Sequence, residues 1–176
     1  FSQPAIALVI SYASLKLFRI KLQFSPIINS TLLRSVFFGL AFGAVFHLIT
    51  EPSASSINMP LNLLLVYLAI IAVSEEILFR GILLNLAERA FSFDIAVLLQ
   101  SLVFSSAHFI SINSIFSHYG SLSNSAITTV LYVSVYYVLL YSFSMVAGFL
   151  YGREDRNIMY PIIFHFTTNL TLFLMR

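Results

Sequence analysis

The chain has 176 residues, of which 59% are hydrophobic and only 9% are charged, and its mean hydropathy is +0.94. Seven acidic and nine basic residues cannot cover a water-soluble globule of this length, so much of the apolar surface must face lipid. The lack of cysteine excludes disulfides, thiolate metal sites and cysteine nucleophiles, and a formal net charge of +2 without a Lys/Arg tract argues against a nucleic-acid partner.

Six apolar segments follow one another along the chain, separated by Pro, Ser, Asn and charged residues. They cover approximately residues 4–17, 32–49, 60–86, 93–116, 126–152 and 158–175. Since a membrane-spanning helix needs roughly 20 mainly apolar residues, the pattern predicts an all-α fold, a polytopic transmembrane bundle in one membrane-embedded domain over residues 1–176. The first residue is Phe1 rather than Met, which is typical of a processed or excerpted piece of a longer protein.

Basic residues occur in every second connection between these segments. Lys16, Arg19, Lys21 and Arg34 lie at the first connection, Arg89 at the third, and Arg153 and Arg156 at the fifth, whereas the second and fourth have none. By the positive-inside rule, the odd connections are cytoplasmic, or stromal or matrix. In the second segment, Gly39 and Gly43 form a small-xxx-small pair, which predicts close packing against another helix.

Three ionisable residues, Glu75, Glu76 and Arg80, lie inside the third apolar segment. Each costs about 2.5–3.5 kcal/mol at the centre of a membrane helix, so the group predicts a functional site. Glu76 and Arg80 have i,i+4 spacing with the acid first, which favours an intrahelical ion pair and leaves Glu75 without that partner. The alternative is that both glutamates lie near the cytoplasmic helix end and Arg80 snorkels to the headgroups.

Two later segments add polar side chains at membrane depth. His108 lies deep in the fourth segment, with Phe104 one turn earlier on the same face. His165 and Asn169 share one face of the last segment. A single histidine in such a place more often forms an interhelical hydrogen bond, but together with a carboxylate pair these residues predict one shared polar site.

The residue types in this site favour hydrolysis. A carboxylate and an imidazole in a partly dry cavity can together deprotonate a water molecule. The Asn169 amide, with or without His165, can stabilise the oxyanion that forms when this water attacks an amide carbonyl. Zinc bound by Glu75, His108 and His165 is the alternative, because two histidines and one glutamate form a known catalytic ligand set. Rhomboid-type serine and aspartyl mechanisms do not fit, since Gly-x-Ser-Gly is missing and both aspartates lie at loop margins.

In order along successive segments, Glu75-Glu76-x-x-x-Arg80, Phe104-x-x-x-His108 and His165-x-x-x-Asn169 resemble the CAAX-protease and bacteriocin-processing (Abi) family of intramembrane proteases. The family includes type II CAAX prenyl endopeptidases, which remove the last three residues of prenylated proteins, and bacterial members linked to bacteriocin maturation or self-immunity. The resemblance covers about residues 60–176 and implies a four-helix catalytic core there, with residues 1–59 as accessory N-terminal helices.

The resemblance further implies that Glu75 is the general base on the water, assisted by His108, and that His165 and Asn169 form the oxyanion hole. The supporting residues would be Glu76, Arg80 and Phe104. No cofactor is implied, the partner would be a lipidated or membrane-associated substrate, and the site would open to the cytoplasmic side. Two alternatives stay open: a non-catalytic scaffold or bacteriocin-immunity protein with the same polar cluster, and a proton-coupled transporter, against which the lack of an inverted repeat argues.

Overall fold

The computed structural model describes residues 9, 13–16, 18, 20–24, 29–50, 59–108, 126–153 and 156–175. This part of the chain is mainly helical and contains no strand, and an isolated parallel bridge joins Gln23 to Asn157. The helices in chain order are α1 (Ser30–Thr50), α2 (Leu61–Ala87), α3 (Phe93–Ala107), α4 (Ala126–Arg153) and α5 (Met159–Leu174). The all-α prediction is confirmed.

Four of the six predicted segments coincide with α1, α2, α4 and α5 to within two residues at each end. The segment predicted over residues 93–116 is α3 as far as Ala107, and its part from residue 109 lies outside the described residues. His108, predicted to lie deep in this segment, is instead the turn residue that follows the last residue of α3. The first predicted segment, residues 4–17, falls mostly on residues that are not described, although residues 9 and 13–16 are helical.

Three of the described helices are long and apolar enough to cross a membrane. They are Ser30–Ile49, Leu61–Ala87 and Ile127–Gly152, with mean hydropathies of 1.9, 2.0 and 1.7. Large apolar side chains point outward from them, and Leu48 and Ile127 are each 74% exposed, whereas Glu76 and Arg80 are completely buried. Lipid requires an apolar exterior around satisfied polar groups, so the molecule is a membrane protein.

Helix α2 changes its winding halfway along. Residues Leu61–Glu76 are α-helical, Ile77–Leu84 form a π-helix, and Asn85–Ala87 return to the α-helix. The Asn85 Nδ2 amide lies 2.9–3.0 Å from the carbonyl oxygens of Arg80 and Gly81, to which it donates. Because π-helical turns are rare and frequently occur at functional sites, this part of α2 is where a site is expected.

Helix α1 packs against α5 through its two glycines. A Cβ atom built on Gly39 would lie 2.7 Å from Cβ of Thr167, and one built on Gly43 would lie 2.6 Å from Cβ of Thr171. Real Cβ atoms do not approach so closely, so only glycine fits at these two positions. The small-xxx-small prediction is confirmed, and the contact fixes α5, the helix that carries His165.

Aromatic rings fill the space between α1, α3, α4 and α5. Phe143 of α4 stacks on Phe164 of α5 with ring centroids 4.7 Å apart, and it meets the His165 ring edge-on at 5.1 Å. Phe104 of α3 lies 5.8 Å from the same Phe143 ring. Such ring contacts stabilise a packed core beyond the area they bury, and here they hold two of the motif-bearing helices in place.

Candidate active site

The site begins with a buried ion pair on α2. Arg80 Nη1 donates to Glu76 Oε1 over 2.8 Å, and neither side chain has any exposed surface. The i,i+4 pairing predicted from the sequence is therefore confirmed. Because both groups lie far from bulk water, the guanidinium cannot be the snorkelling residue of the alternative interpretation.

Arg80 also bonds to the neighbouring helices. Its Nη2 atom donates to the backbone oxygen and the hydroxyl of Ser144 on α4, each over 3.0 Å. The guanidinium carbon lies 5.0 Å from the centre of the Phe104 ring, within the range of a cation–π contact. Gln100 of α3 donates to the same Ser144 hydroxyl over 2.9 Å. Arg80 thus joins α2 to both α3 and α4.

Ser144 and Gln100 were not among the residues predicted from the sequence. Both are completely buried in helices whose neighbouring residues are mostly apolar. The only sign in the sequence was that a serine and a glutamine occur in apolar helices. Neither residue lies at a spacing along the chain that would pair it with Glu75, Glu76 or Arg80. Their contact arises from the way α3 and α4 pack.

His165 of α5 is held by the same carboxylate. Its Nδ1 atom lies 2.8 Å from Glu76 Oε1, and its side chain is only 6% exposed. A carboxylate that already accepts a hydrogen bond from Arg80 must accept here too, so Nδ1 carries the hydrogen. In the neutral ring, Nε2 therefore has a free electron pair, and only a protonated ring can donate from both nitrogens.

His108 carries its hydrogen on the same ring nitrogen as His165, but for a different reason. Its Nδ1 atom lies 2.8 Å from the carbonyl oxygen of Phe104, which can only accept, so Nδ1 again carries the hydrogen. The ring centroids of Phe104 and His108 lie 4.4 Å apart, which agrees with the prediction that both residues share one face. The Nε2 electron pair of neutral His108 is left facing the interior of the site.

Glu75 completes the cluster. Its Oε2 atom lies 3.7 Å from Nε2 of His108 and 3.9 Å from Nε2 of His165, and no described protein group donates a hydrogen bond to it. A carboxylate oxygen and two ring nitrogens thus present electron pairs to one another. Such a group is stable only around a hydrogen-bond donor or a positive charge, and a water molecule or a protonated ring meets that need.

Two cavities meet at this cluster. The large cavity has a volume of about 270 Å³ and is lined by Leu64, Tyr67, Leu68, Ile71, Glu75, His108, His165, Asn169, Leu172 and Phe173. The small cavity has a volume of about 120 Å³ and is lined by Phe46, Phe104, His108, Tyr136, Leu140, Phe143, His165, Thr168, Asn169 and Leu172. Four residues line both cavities and form a shared wall, His108, His165, Asn169 and Leu172, and Glu75 lines only the large cavity.

The structure thus brings the predicted residues of three separate helices to one place. Glu75, His108, His165 and Asn169 all line the large cavity. Glu76, Arg80 and Phe104 lie behind them, in contact with the two histidines or with one another.

Metal binding was the alternative use of these side chains. Among the described residues, no group of three or more His, Cys, Asp or Glu side chains is arranged to hold a metal ion. Two ligand atoms on one tetrahedral zinc lie roughly 3.3 Å apart, since each bond is about 2.0 Å long. The Glu75 separations of 3.7 and 3.9 Å are longer, so zinc would require the side chains to draw together.

Residues 56–171 match the family model described as type II CAAX prenyl endopeptidase Rce1-like. The matched range contains every residue of the cluster and all of α2, α3 and α4. No curated protein and no solved structure matches the chain.

Proposed function

This chain belongs to the type II CAAX prenyl endopeptidase Rce1-like family, and on that premise we propose that it is an intramembrane endopeptidase that hydrolyses a peptide bond with an activated water. The observation that carries the proposal is the convergence of Glu75 Oε2 with the Nε2 atoms of His108 and His165 inside a cavity. Glu75 Oε2 and Nε2 of neutral His108 accept hydrogen bonds, so a water between them is held by its two hydrogens and its oxygen is free to attack.

Glu75 is the general base in this mechanism. It removes a proton from the water while His108, fixed by its bond to the Phe104 carbonyl, orients the same water. The hydroxide oxygen then bonds to the carbonyl carbon of the substrate. When the C–N bond breaks, Glu75 returns the proton to the leaving amine nitrogen, so the carboxylate is regenerated.

Asn169 and His165 stabilise the negative charge on the carbonyl oxygen. The Asn169 amide can donate in any protonation state, and it lies one turn from His165 on the same face of α5. His165 can donate from Nε2 only when the ring is protonated, because Nδ1 already donates to Glu76. The Glu76 carboxylate fixes the orientation of that ring, so the buried pair on α2 supports the chemistry through His165.

The proposed substrate is the C-terminal part of a lipidated, prenylated protein, as the family name indicates. The large cavity combines catalytic groups with the apolar residues Leu64, Leu68 and Phe173, a lining suited to a peptide that carries apolar groups. We propose that the peptide enters from the cytoplasmic side, because Arg89 lies in the turn that follows α2.

The test compares the unchanged chain with Glu75→Gln on a prenylated C-terminal peptide in detergent, with release of the terminal fragment as the readout. We expect Glu75→Gln to lower kcat/KM by at least about 10²-fold, since a general base contributes about 10²–10⁴-fold. Asp94→Asn is the matched control, because Asp94 is an exposed acid in the first turn of α3. Circular dichroism checks that both variants keep their helices.

Full activity of Glu75→Gln would contradict the mechanism, and a chain that binds the peptide but never cleaves it would favour a non-catalytic binding protein. Repeating the assay with a chelator tests the role of a metal. We expect activity to persist. Inhibition that added zinc reverses would instead place a metal among Glu75, His108 and His165.

A further inference from the structure

The small cavity adjoins the reacting groups but lacks the proposed general base. It shares His108, His165, Asn169 and Leu172 with the large cavity, whereas Glu75 lines only the large cavity. In the proposed mechanism the attacking water is held beside Glu75, in the large cavity. What enters the small cavity is thus next to the reacting carbonyl without taking part in the reaction.

Most of the surface that lines the small cavity is apolar. Its apolar residues are Phe46, Phe104, Leu140, Phe143 and Leu172. The polar side chains of the lining are His108, Tyr136, His165, Thr168 and Asn169. The Thr168 hydroxyl is already used in a bond to the Phe164 carbonyl. The part of the cavity that the five apolar residues form therefore suits an uncharged, apolar group.

The volume limits the size of this group. At about 120 Å³, the cavity is somewhat smaller than the roughly 150 Å³ cavity that binds benzene in a protein core. It can therefore take an aliphatic side chain, whereas a substrate main chain with its polar groups does not fit. A phenylalanine side chain is at or beyond the limit.

We infer that the small cavity binds the apolar side chain of a substrate residue that adjoins the cleaved bond, and that Leu140 and Tyr136 of α4 set the size it accepts. This inference rests on the proposed function. Leu140 is 6% exposed and contacts the cavity from a helix that supplies none of the groups in the proposed mechanism. A change there alters the shape of the pocket without removing a reacting group.

The experiment measures kcat/KM for peptides that differ only in the residue on either side of the cleaved bond, with Ala, Leu or Phe at each. Leu140→Ala enlarges the cavity, and we expect it to raise the Phe-to-Leu ratio of kcat/KM about tenfold at one of the two positions, since one methylene in such a pocket changes discrimination about 10–200-fold. The matched control is Leu131→Ala, the same change on α4 at a side chain that is 61% exposed. We expect it to leave the ratio unchanged.

Leu140→Val is a second variant in case the larger truncation prevents folding, because it removes one methylene and keeps most of the packing. It is expected to change the same ratio in the same direction by a few-fold. Unchanged ratios in folded Leu140 variants that cleave the peptides would overturn the pocket while leaving the proposed function standing. If the unchanged chain cleaves none of the peptides, the proposed function fails, and the pocket fails with it.

Discussion

One oxygen atom, Oε1 of Glu76, serves both the ion pair and the histidine at the centre of the site. It accepts from Arg80 Nη1 and from His165 Nδ1, each over 2.8 Å. A buried charge pair contributes little net stability, but breaking it by removing one partner is strongly destabilising. The pair is therefore better explained by what it positions, the hydrogen on His165, than by the stability it adds.

Replacing Arg80 by methionine tests this argument. We expect Arg80→Met to lower the free energy of unfolding in detergent by about 3–5 kcal/mol, because a fully buried Glu76 is left without its cation. The double variant Glu76→Gln/Arg80→Met should regain part of that loss, since no unpaired charge remains.

The control for this pair of variants is Arg34→Met, the same change at an exposed position in α1. It should alter the free energy of unfolding by no more than about 0.5 kcal/mol. If Arg80→Met is as stable as the unchanged chain, the buried ion pair is not the interaction that the structure describes.

At this scale the sequence predicted the charged and histidine residues but not their surroundings. Spacing along one helix is enough to pair Glu76 with Arg80. The bonds from Arg80 and Gln100 to Ser144 cross between helices, with sequence separations of 64 and 44 residues. Spacing along one helix does not give the register between two packed helices. Ser144 and Gln100 could therefore be identified as neighbours of Arg80 only from the structure.

At the scale of the helices, the winding of α2 and the packing of α1 place the site. The π-helical turns from Ile77 to Leu84 leave carbonyl groups for which the Asn85 side chain supplies a donor. The sequence predicted one helix over residues 60–86, and the observed α2 agrees with it at both ends. Its hydrophobic pattern could not reveal the π-helix, because a local change of winding does not interrupt an apolar segment.

The contact between α1 and α5 gives a test at this scale. We expect Gly39→Ala to lower the free energy of unfolding by about 1–3 kcal/mol, the usual cost of overpacking, because its Cβ would meet the Phe164 carbonyl oxygen at 2.8 Å. Thermal unfolding in detergent measures this loss. Activity should also fall, since α5 must move and carries His165 with it.

Gly148→Ala is the control for that prediction, because its added methyl group meets a less rigid neighbour. Its added Cβ would meet only the Val97 side chain, at 3.0 Å or more, and methyl groups can shift by a few tenths of an ångström where a carbonyl in a helix cannot. The loss of stability should therefore be smaller. Equal losses in the two variants would show that α1 does not approach α5 as closely as the structure indicates.

For the whole molecule, the charged residues fall into two groups, those that set the orientation in the membrane and those that form the candidate active site. Few residues are charged, and most of these lie in connections between helices, which left Glu75, Glu76 and Arg80 as the ones that lipid alone does not explain. This partition allowed the helical membrane fold to be predicted from composition and segment length. Which helices touch was not predictable in the same way, because every outer face is similarly apolar. The α1–α5 contact depends on two glycines that leave room for two threonines.

The natural lack of cysteine makes the orientation directly testable. Ser92 lies in the connection after α2, three residues from Arg89, and Met59 lies two residues before the start of α2. The two variants Ser92→Cys and Met59→Cys each introduce one cysteine, at opposite ends of the helix. If α2 crosses the membrane with Arg89 on the cytoplasmic side, a membrane-impermeant thiol reagent should label Ser92→Cys in inside-out vesicles and Met59→Cys in right-side-out vesicles. The unchanged chain should take no label in either. Labelling of both variants from one side would mean that α2 does not span the bilayer and would contradict the proposed orientation.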